Sequence, residues 1–398
     1  PAPPSTGSRR GRPDRLAAVV VCLPGLEGLV TAELDELGIR SRPAGTGALA
    51  ARLTDRQLYE ANVRLATATR VLVDAGELTA RSFAALEERI DAVDVDPFLD
   101  RRRPVRLRIT SHRSKLQHTG AVEERLRRLL HLGPAPAAGA PGADPDDDRS
   151  SSPPPQLVVV RIDRDRISVR VDSSGAPLHH RGWRGPAGKA PLRETLAAAA
   201  LAAVGWQPDQ PLVDPFAGSG TIPIEAARRA AGAAPGADRR FAVEGWPSFA
   251  PGTWASVQAS VRSDRDAAAT SARAPILARD RDAGVVAAAT ENAARAGVAD
   301  RVDVALAAVS ALVPPEGTGR GWIVTNPPWG GRLASGSSDV RDVYARLGQI
   351  TAERFGGWGL ALLVPDVRLA HAAGVRGEPV WRSRAGPSPV HLMVRPPA

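Results

Sequence analysis

The sequence is almost without cysteine: Cys22 is the only one in 398 residues. No disulfide can close within it and no thiolate zinc cluster can form, which fits a reducing compartment, so a cytoplasmic location is expected. Lysine is nearly absent as well, with only Lys115 and Lys189, so arginine carries almost all the positive charge. No apolar run approaches the roughly 20 residues of a membrane span, and no membrane partner is expected. The opening "RRGRPDRLAAVVVCLPGLEG" sets basic residues before an apolar stretch. That stretch is short, lacks a small-residue cleavage site and runs into "PGLE", so it reads as a first strand and not as a signal peptide. His112 and His118 have no carboxylate or thiol at ligand spacing, and no metal is expected. There is no full G-x-G-x-x-G, no G-K-[ST] and no repeat at a fixed period.

What is present is an ordinary soluble composition, 43% apolar and 24% charged, long enough for two or three domains. The formal charge is +9. The stretch "RRRPVRLRITSHRSKLQHTGAVEERLRR", 101–128, holds ten Arg or Lys against two acids, and so +8 of that total. A solvated basic helix face is the plain reading. The concentration favours phosphate contact, with Arg113, Lys115 and His118 around a strand-to-helix turn whose free amides add to anion binding. Folded RNA read by shape and backbone suits such a patch.

Along the chain, residues 1–14 are Pro, Ser, Gly and Arg rich and are expected to be disordered. Short strands and helices alternate from 16 to 132: "LAAVVVCL" as a strand, a helix from Gly25 stopped at Gly38, "VLVDAGEL" and "PVRLRIT" as strands, and a helix capped by Ser82. Residues 133–156 carry no packing pattern and read as a flexible insertion. The hairpin-like pair "QLVVVRID" and "RISVRVD" follows. From Pro191 onward, Ala-rich helices separate the apolar strands "PLVDPF", "APILARD", "RVDVALA", "GWIVTN" and "GLALLVP", which predicts a doubly wound, mostly parallel α/β sheet.

Three of those strands end in chemistry. After "LVDPFAGSGT" the chain turns on Gly218 and Gly220 into a helix at Thr221, where backbone can approach a ligand. Asp280 tips the next strand, where an acid can take a ribose diol. "TNPPWGGR" ends a later one. An exocyclic amine on a base is a poor nucleophile because its lone pair is delocalised into the ring. The Asn326 side-chain carbonyl and the Pro327 backbone carbonyl can each accept one N–H, favouring a pyramidal nitrogen. Pro327 and Pro328 fix the backbone, and Trp329 can stack on a flipped base. Taken singly, the three also fit a tight turn, a surface carboxylate and a Pro-rich loop around a buried tryptophan.

In that order on successive strands, they resemble the class I S-adenosyl-L-methionine-dependent methyltransferases that methylate amines. "DPFAGSGT" is similar to the methionine-binding loop of that family, "APLRETLAAAAL" to its upstream helix, and "NPPW" to its catalytic loop. "PGLEGLVTAELDELG", "SHRSKLQHTGAVEERL" and "VDSSGAPLHHRGWR" resemble the ferredoxin-like, THUMP and junction segments of THUMP-domain RNA methyltransferases. "FAVEGWPSFAPGTWASV" (241–257) is similar to an insertion of the branch that makes N2-methylguanosine in large-subunit ribosomal RNA. The resemblance implies a ferredoxin-like segment over 15–55, a THUMP domain over 56–173 containing the 133–156 insertion, a junction over 174–190 and a Rossmann-like methyltransferase domain over 191–398. It implies S-adenosyl-L-methionine at Asp214, Phe216, Ala217, Gly218, Gly220, Thr221, Asp280 and Asn326, and catalysis at Asn326, Pro327, Pro328 and Trp329. Structured RNA, ribosomal or transfer, is the implied partner, held by Arg113, Lys115, His118, Arg181 and Arg184. A DNA adenine-N6 methyltransferase shares the Asn-Pro-Pro-aromatic chemistry. Ala308 stands where the family has an Asp against the adenine, which keeps a non-catalytic RNA-binding factor among the readings.

Overall fold

The computed structural model describes residues 14–133, 135–136, 156–185, 192–269, 273–330 and 340–398. Residues 1–13 of the expected 1–14 tail and most of the 133–156 insertion lie outside these. Two seven-stranded sheets organise the described residues.

The first sheet is built from β1 (Leu16–Cys22), β2 (Ser41–Pro43), β3 (Ala48–Leu53), β4 (Ala68–Thr79), β5 (Val105–His112), β6 (Gln156–Asp163) and β7 (Arg166–Asp172), in the order β2-β3-β1-β4-β7-β6-β5. β5 and β6 run parallel and the other neighbours antiparallel. The four intervening helices are α1 (Glu27–Glu36), α2 (Asp55–Arg64), α3 (Phe83–Arg89) and α4 (Thr119–Leu129). Their starts follow from local chemistry. Thr54 and Gln57 form a reciprocal capping box on α2, and the Ser82 hydroxyl accepts from Ala85 N at 3.2 Å to open α3. Because β4 pairs with β1 along one edge and with β7 along the other, 15–55 and 56–173 share one continuous sheet.

The second sheet has the order β10-β9-β8-β11-β12-β14-β13. Its strands are β8 (Leu212–Asp214), β9 (Ile276–Asp280), β10 (Asp303–Leu306), β11 (Trp322–Thr325), β12 (Gly359–Val364), β13 (Trp381–Ala385) and β14 (Ser388–Arg395). β8 to β12 are parallel, as the Ala-rich spacing predicts, with α5 (Glu194–Ala203), α6 (Thr221–Ala230), α7 (Pro251–Ala269), α8 (Ala283–Arg295), α9 (Val340–Arg354) and α10 (Val367–Ala372) between or beside them. The antiparallel closing hairpin β13–β14 goes beyond the sequence expectation. Strand order reverses between β8 and β11, so a crevice opens beyond their carboxyl ends, the usual ligand position of such sheets.

Packing crosses the expected 190/191 limit. Ala234, Phe241, Val243, Trp246, Val257 and Val261 belong to the core under the first sheet. Tyr59 of α2 meets Trp254 edge-on at 5.6 Å, Phe98 meets Trp246 at 5.0 Å, and Ala250 N donates to Tyr59 Oη at 2.9 Å. In return Leu26, fully buried, packs in the core of the second sheet. At Gly25 a side chain would run into the Arg382 carbonyl, and φ is +86°, so only glycine allows this approach. No helix among the described residues is long and apolar enough to cross a membrane.

Candidate active site

β8 ends at Asp214, and the chain then turns through Gly218 (φ +53°) and Gly220 (φ +85°) into α6, which opens at Thr221. Gly220 is also a packing requirement: a Cβ there would lie 3.2 Å from Ala289 on α8. Beside Gly218 a Cβ would meet nothing within 4 Å, so the turn faces open space. Ala217 is buried and Phe216 half-buried. From the neighbouring strand, Asp280 accepts from Gly218 N at 3.0 Å through Oδ2 and from Asp282 N at 3.1 Å through Oδ1. The acid at the tip of β9 therefore lies against the glycine turn.

Asp214 is 1% exposed. It accepts from Thr325 Oγ1 at 2.6 Å and from Phe216 N at 3.1 Å. Burial pushes its carboxyl up to about 7, the two hydrogen bonds oppose the rise, and the nearby Asp280 adds to it. The bond to Thr325 ties the end of β8 to the end of β11, one residue before Asn326. Thr325 carries no motif signal except its place in front of "NPPW", and sequence reasoning gave it no role.

Asn326, Pro327, Pro328 and Trp329 follow directly. Pro327 is buried; the other three are half-buried. The Pro328 carbonyl accepts a long, 3.4 Å hydrogen bond from Tyr344 Oη on α9. Trp329 Nε1 donates to Asn326 Oδ1 at 3.0 Å, and its ring packs against the core of the second sheet. The indole N–H thus takes one of the two lone pairs of the acceptor that the sequence argument assigns to a substrate amine. Past β10, Ala307 N donates to the Asp280 carbonyl at 2.9 Å, Leu306 is 59% exposed, and Ala308 offers only a methyl group.

Two residues expected at RNA are turned inward, and this corrects the sequence reading. Arg181 is 1% exposed: it donates to the carbonyls of Leu178 and Ala66 and pairs with Glu225 of α6 at 3.4 Å. Arg184 pairs with Glu194 at 2.7 Å and reaches the glycine turn. A buried guanidinium needs fixed acceptors, and these come from residues distant in the chain.

Arg113, Lys115 and His118 do share an exposed corner, between β5 and α4. The fold brings two more cations there, Arg81 and Arg164. Asp165 knits the loops together: it accepts from Arg81 Nε at 3.0 Å and from Lys115 N at 2.8 Å, while its own N donates to Ser114 Oγ at 2.9 Å. Arg113, Arg164 and Asp165 all have left-handed φ, between 49° and 65°. For Arg164 and Asp165 this follows from the two-residue hairpin turn between β6 and β7, where Asp163 pairs with Arg166 and both central residues take positive φ.

Comparison with known proteins matches residues 181–389 to a family model described as "RMKL-like, methyltransferase domain" and 17–72 to an RlmL ferredoxin-like domain. The ribosomal RNA large subunit methyltransferase K/L of Chromohalobacter salexigens is 37% identical over 245 residues, 60% of this chain; the match spans only 33% of that protein's length. Among solved structures, SMU.472, described as a methyltransferase and crystallised with SAH, superposes with a TM-score of 0.80 at 25% identity, covering 97% of this chain and 99% of that one. A Listeria monocytogenes protein described as an N6-adenine-specific DNA methylase gives 0.77 at 26%, covering 95% and 96%.

Proposed function

The chain belongs to the RMKL-like methyltransferase family, and from that membership we propose that it transfers a methyl group from S-adenosyl-L-methionine to the N2 amine of a guanosine in structured RNA, with large-subunit ribosomal RNA as the substrate. The observation that carries this is the 2.6 Å bond from Thr325 to Asp214, which locks the amine-accepting loop beside the glycine turn.

The residues fit the donor. Open space lies over Gly218, a buried carboxyl at Asp214 suits an α-ammonium, and Asp280 suits a ribose diol. Phe216, Ala217, Gly218, Gly220 and Thr221 would hold the methionine end, and the bound donor supplies an electrophilic methyl. With Ala308 in place of a carboxylate, the adenine side rests on apolar and backbone groups, beginning with Leu306.

For the base, Asn326 Oδ1 and the Pro327 carbonyl each accept one amine N–H, and the nitrogen lone pair is left to face the methyl. The rings of Pro327 and Pro328 restrict that backbone, and the Pro328 carbonyl takes a long hydrogen bond from Tyr344. Asn326 Oδ1 has a second lone pair, so it can accept the amine while Trp329 Nε1 holds it in place, and the indole ring offers a face for the base to stack on. Positioning carries most of the acceleration, and no metal or covalent intermediate is needed.

RNA is gripped at the Asp165-keyed corner by Arg113, Lys115 and His118, joined by Arg81 and Arg164. The double reversal R113E/K115E is expected to weaken RNA binding at least tenfold at low salt and to flatten the slope of log affinity against log salt by roughly one unit per lost phosphate contact. Filter binding across a salt series checks this; an unchanged slope removes the corner from the account.

The reading as a whole is tested by tritium transfer from labelled donor to unmodified large-subunit ribosomal RNA, transfer RNA and duplex DNA, with nucleoside mass spectrometry of the products. N2-methylguanosine in ribosomal RNA is expected. N6-methyladenine in DNA would make the chain a DNA enzyme, and label on no substrate would favour a binding factor.

A further inference from the structure

Arg184, displaced from its expected place at RNA, makes four directed bonds. Nε donates to Glu194 Oε1 at 2.7 Å, Nη1 to Ser219 Oγ at 3.2 Å, and Nη2 to Thr221 Oγ1 and the Leu192 carbonyl at 3.0 Å each. Its side chain is 10% exposed, that of Glu194 4%, and the guanidinium lies 5.2 Å over the Trp183 ring. Ser219 and Thr221 flank Gly220, the N-cap of α6, which has no side chain to cap the helix. The corner is therefore held from outside, by a residue of the preceding junction.

The surrounding bonds run the same way. Gly185 N donates to Asn292 Oδ1 at 3.0 Å, and Asn292 Nδ2 donates to the Ser219 carbonyl at 3.0 Å. Arg295 Nε donates to the Trp183 carbonyl at 3.3 Å. Arg181 links the Ala66 carbonyl, in the N-terminal half, to Glu225 on α6. One strand of junction, 181–185, thus touches the N-terminal half at one end and the glycine turn at the other.

We propose that Arg184 is a positioning residue for the methyl donor: by holding the hydroxyls of Ser219 and Thr221 it fixes the 218–221 backbone in the shape that accepts the donor's methionine end. This rests on the reading of that turn as the donor site. A buried arginine–glutamate pair could instead serve stability alone, and the two roles differ in what a lysine does. Lysine keeps the charge and can still meet Glu194, but one ammonium cannot span both hydroxyls and the carboxylate as a planar fork does.

The test uses the full chain. Arg184→Lys is expected to raise KM for S-adenosyl-L-methionine about tenfold with KM for RNA near wild type, while the buried hydrogen bonds it gives up lower the melting temperature of the free protein by a few degrees. Ser219→Ala leaves the ion pair intact and is expected to weaken donor binding severalfold in calorimetry, without a loss of melting temperature; it decides the matter if the lysine variant does not fold. Unchanged donor affinity in folded Ser219→Ala and Arg184→Lys overturns the inference, as does a parallel rise of both KM values that tracks a lower melting temperature. Failure of the wild-type protein to bind the donor overturns the underlying reading itself and this inference with it.

Discussion

Asn326→Ala is expected to cost about a thousandfold in kcat while leaving the dissociation constant for S-adenosyl-L-methionine within a few-fold of wild type. In the proposed reading the side chain helps to orient the amine, and losing one preorganised partner of a reacting group typically costs two to three orders of magnitude. On the same reading the donor is held by the neighbouring turn and Asp280, which this change leaves in place. The substitution also frees the Trp329 N–H, since Asn326 Oδ1 is its acceptor. Single-turnover transfer with saturating RNA, beside calorimetry with the donor alone, separates the two effects. Transfer near the wild-type rate would show that the amine is oriented by something else, and a matching collapse of donor affinity would assign Asn326 to the cofactor instead.

Asp214→Asn has effects of opposite sign on binding and on stability. The Asp214 carboxyl is pushed up to about 7 by burial, from an ordinary value of 3.8. A folded state that holds a proton more tightly than the unfolded chain is favoured at low pH, and that advantage is lost as pH rises from about 4 to about 7. An asparagine has no such loss. The melting temperature of the variant should therefore exceed that of wild type by several degrees at pH 8 and match it at pH 4. Glu33, which burial also raises to about 7, contributes the same slope to both proteins and cancels in the difference. Binding goes the other way. If the ionised carboxylate meets the donor's ammonium, wild-type affinity should fall about tenfold per unit below pH 7, and the variant should bind at least a hundredfold more weakly at pH 8 with little pH dependence. Melting curves and calorimetry at three pH values check both halves. A wild-type affinity flat from pH 6 to 8 would remove Asp214 from contact with the ammonium.

The parts of this architecture that were legible in the sequence are those that short-range chemistry dictates. Glycine at 218 and 220 announces the turn, because left-handed backbone there is costly for other residues. Ser82 and Gly38 mark a helix start and a helix end for similar local reasons. The strands beneath Asp214, Asp280 and Asn326 stand out as apolar runs. What stayed hidden depends on partners far along the chain. Nothing near Arg181 or Arg184 says that Glu225, Glu194 and Ser219 will enclose them, so positive charge near a junction read as a surface for RNA. The motif "NPPW" shows its donors and acceptors but not that the indole would pair with Asn326 within the loop. Segment 241–257 was recognisable by resemblance, yet its placement under the other sheet arises from Tyr59 and Phe98, more than a hundred residues earlier.

That last placement bears on how the protein can be dissected. A fragment starting at residue 191 would carry Phe241, Trp246 and Trp254 with nothing to cover them, and its complement would lose part of its own interior. Each piece would be prone to self-association, and a failed assay on either would report clumping and not chemistry. Useful deletions would have to follow the interleaved packing, exchanging 234–261 together with the first sheet.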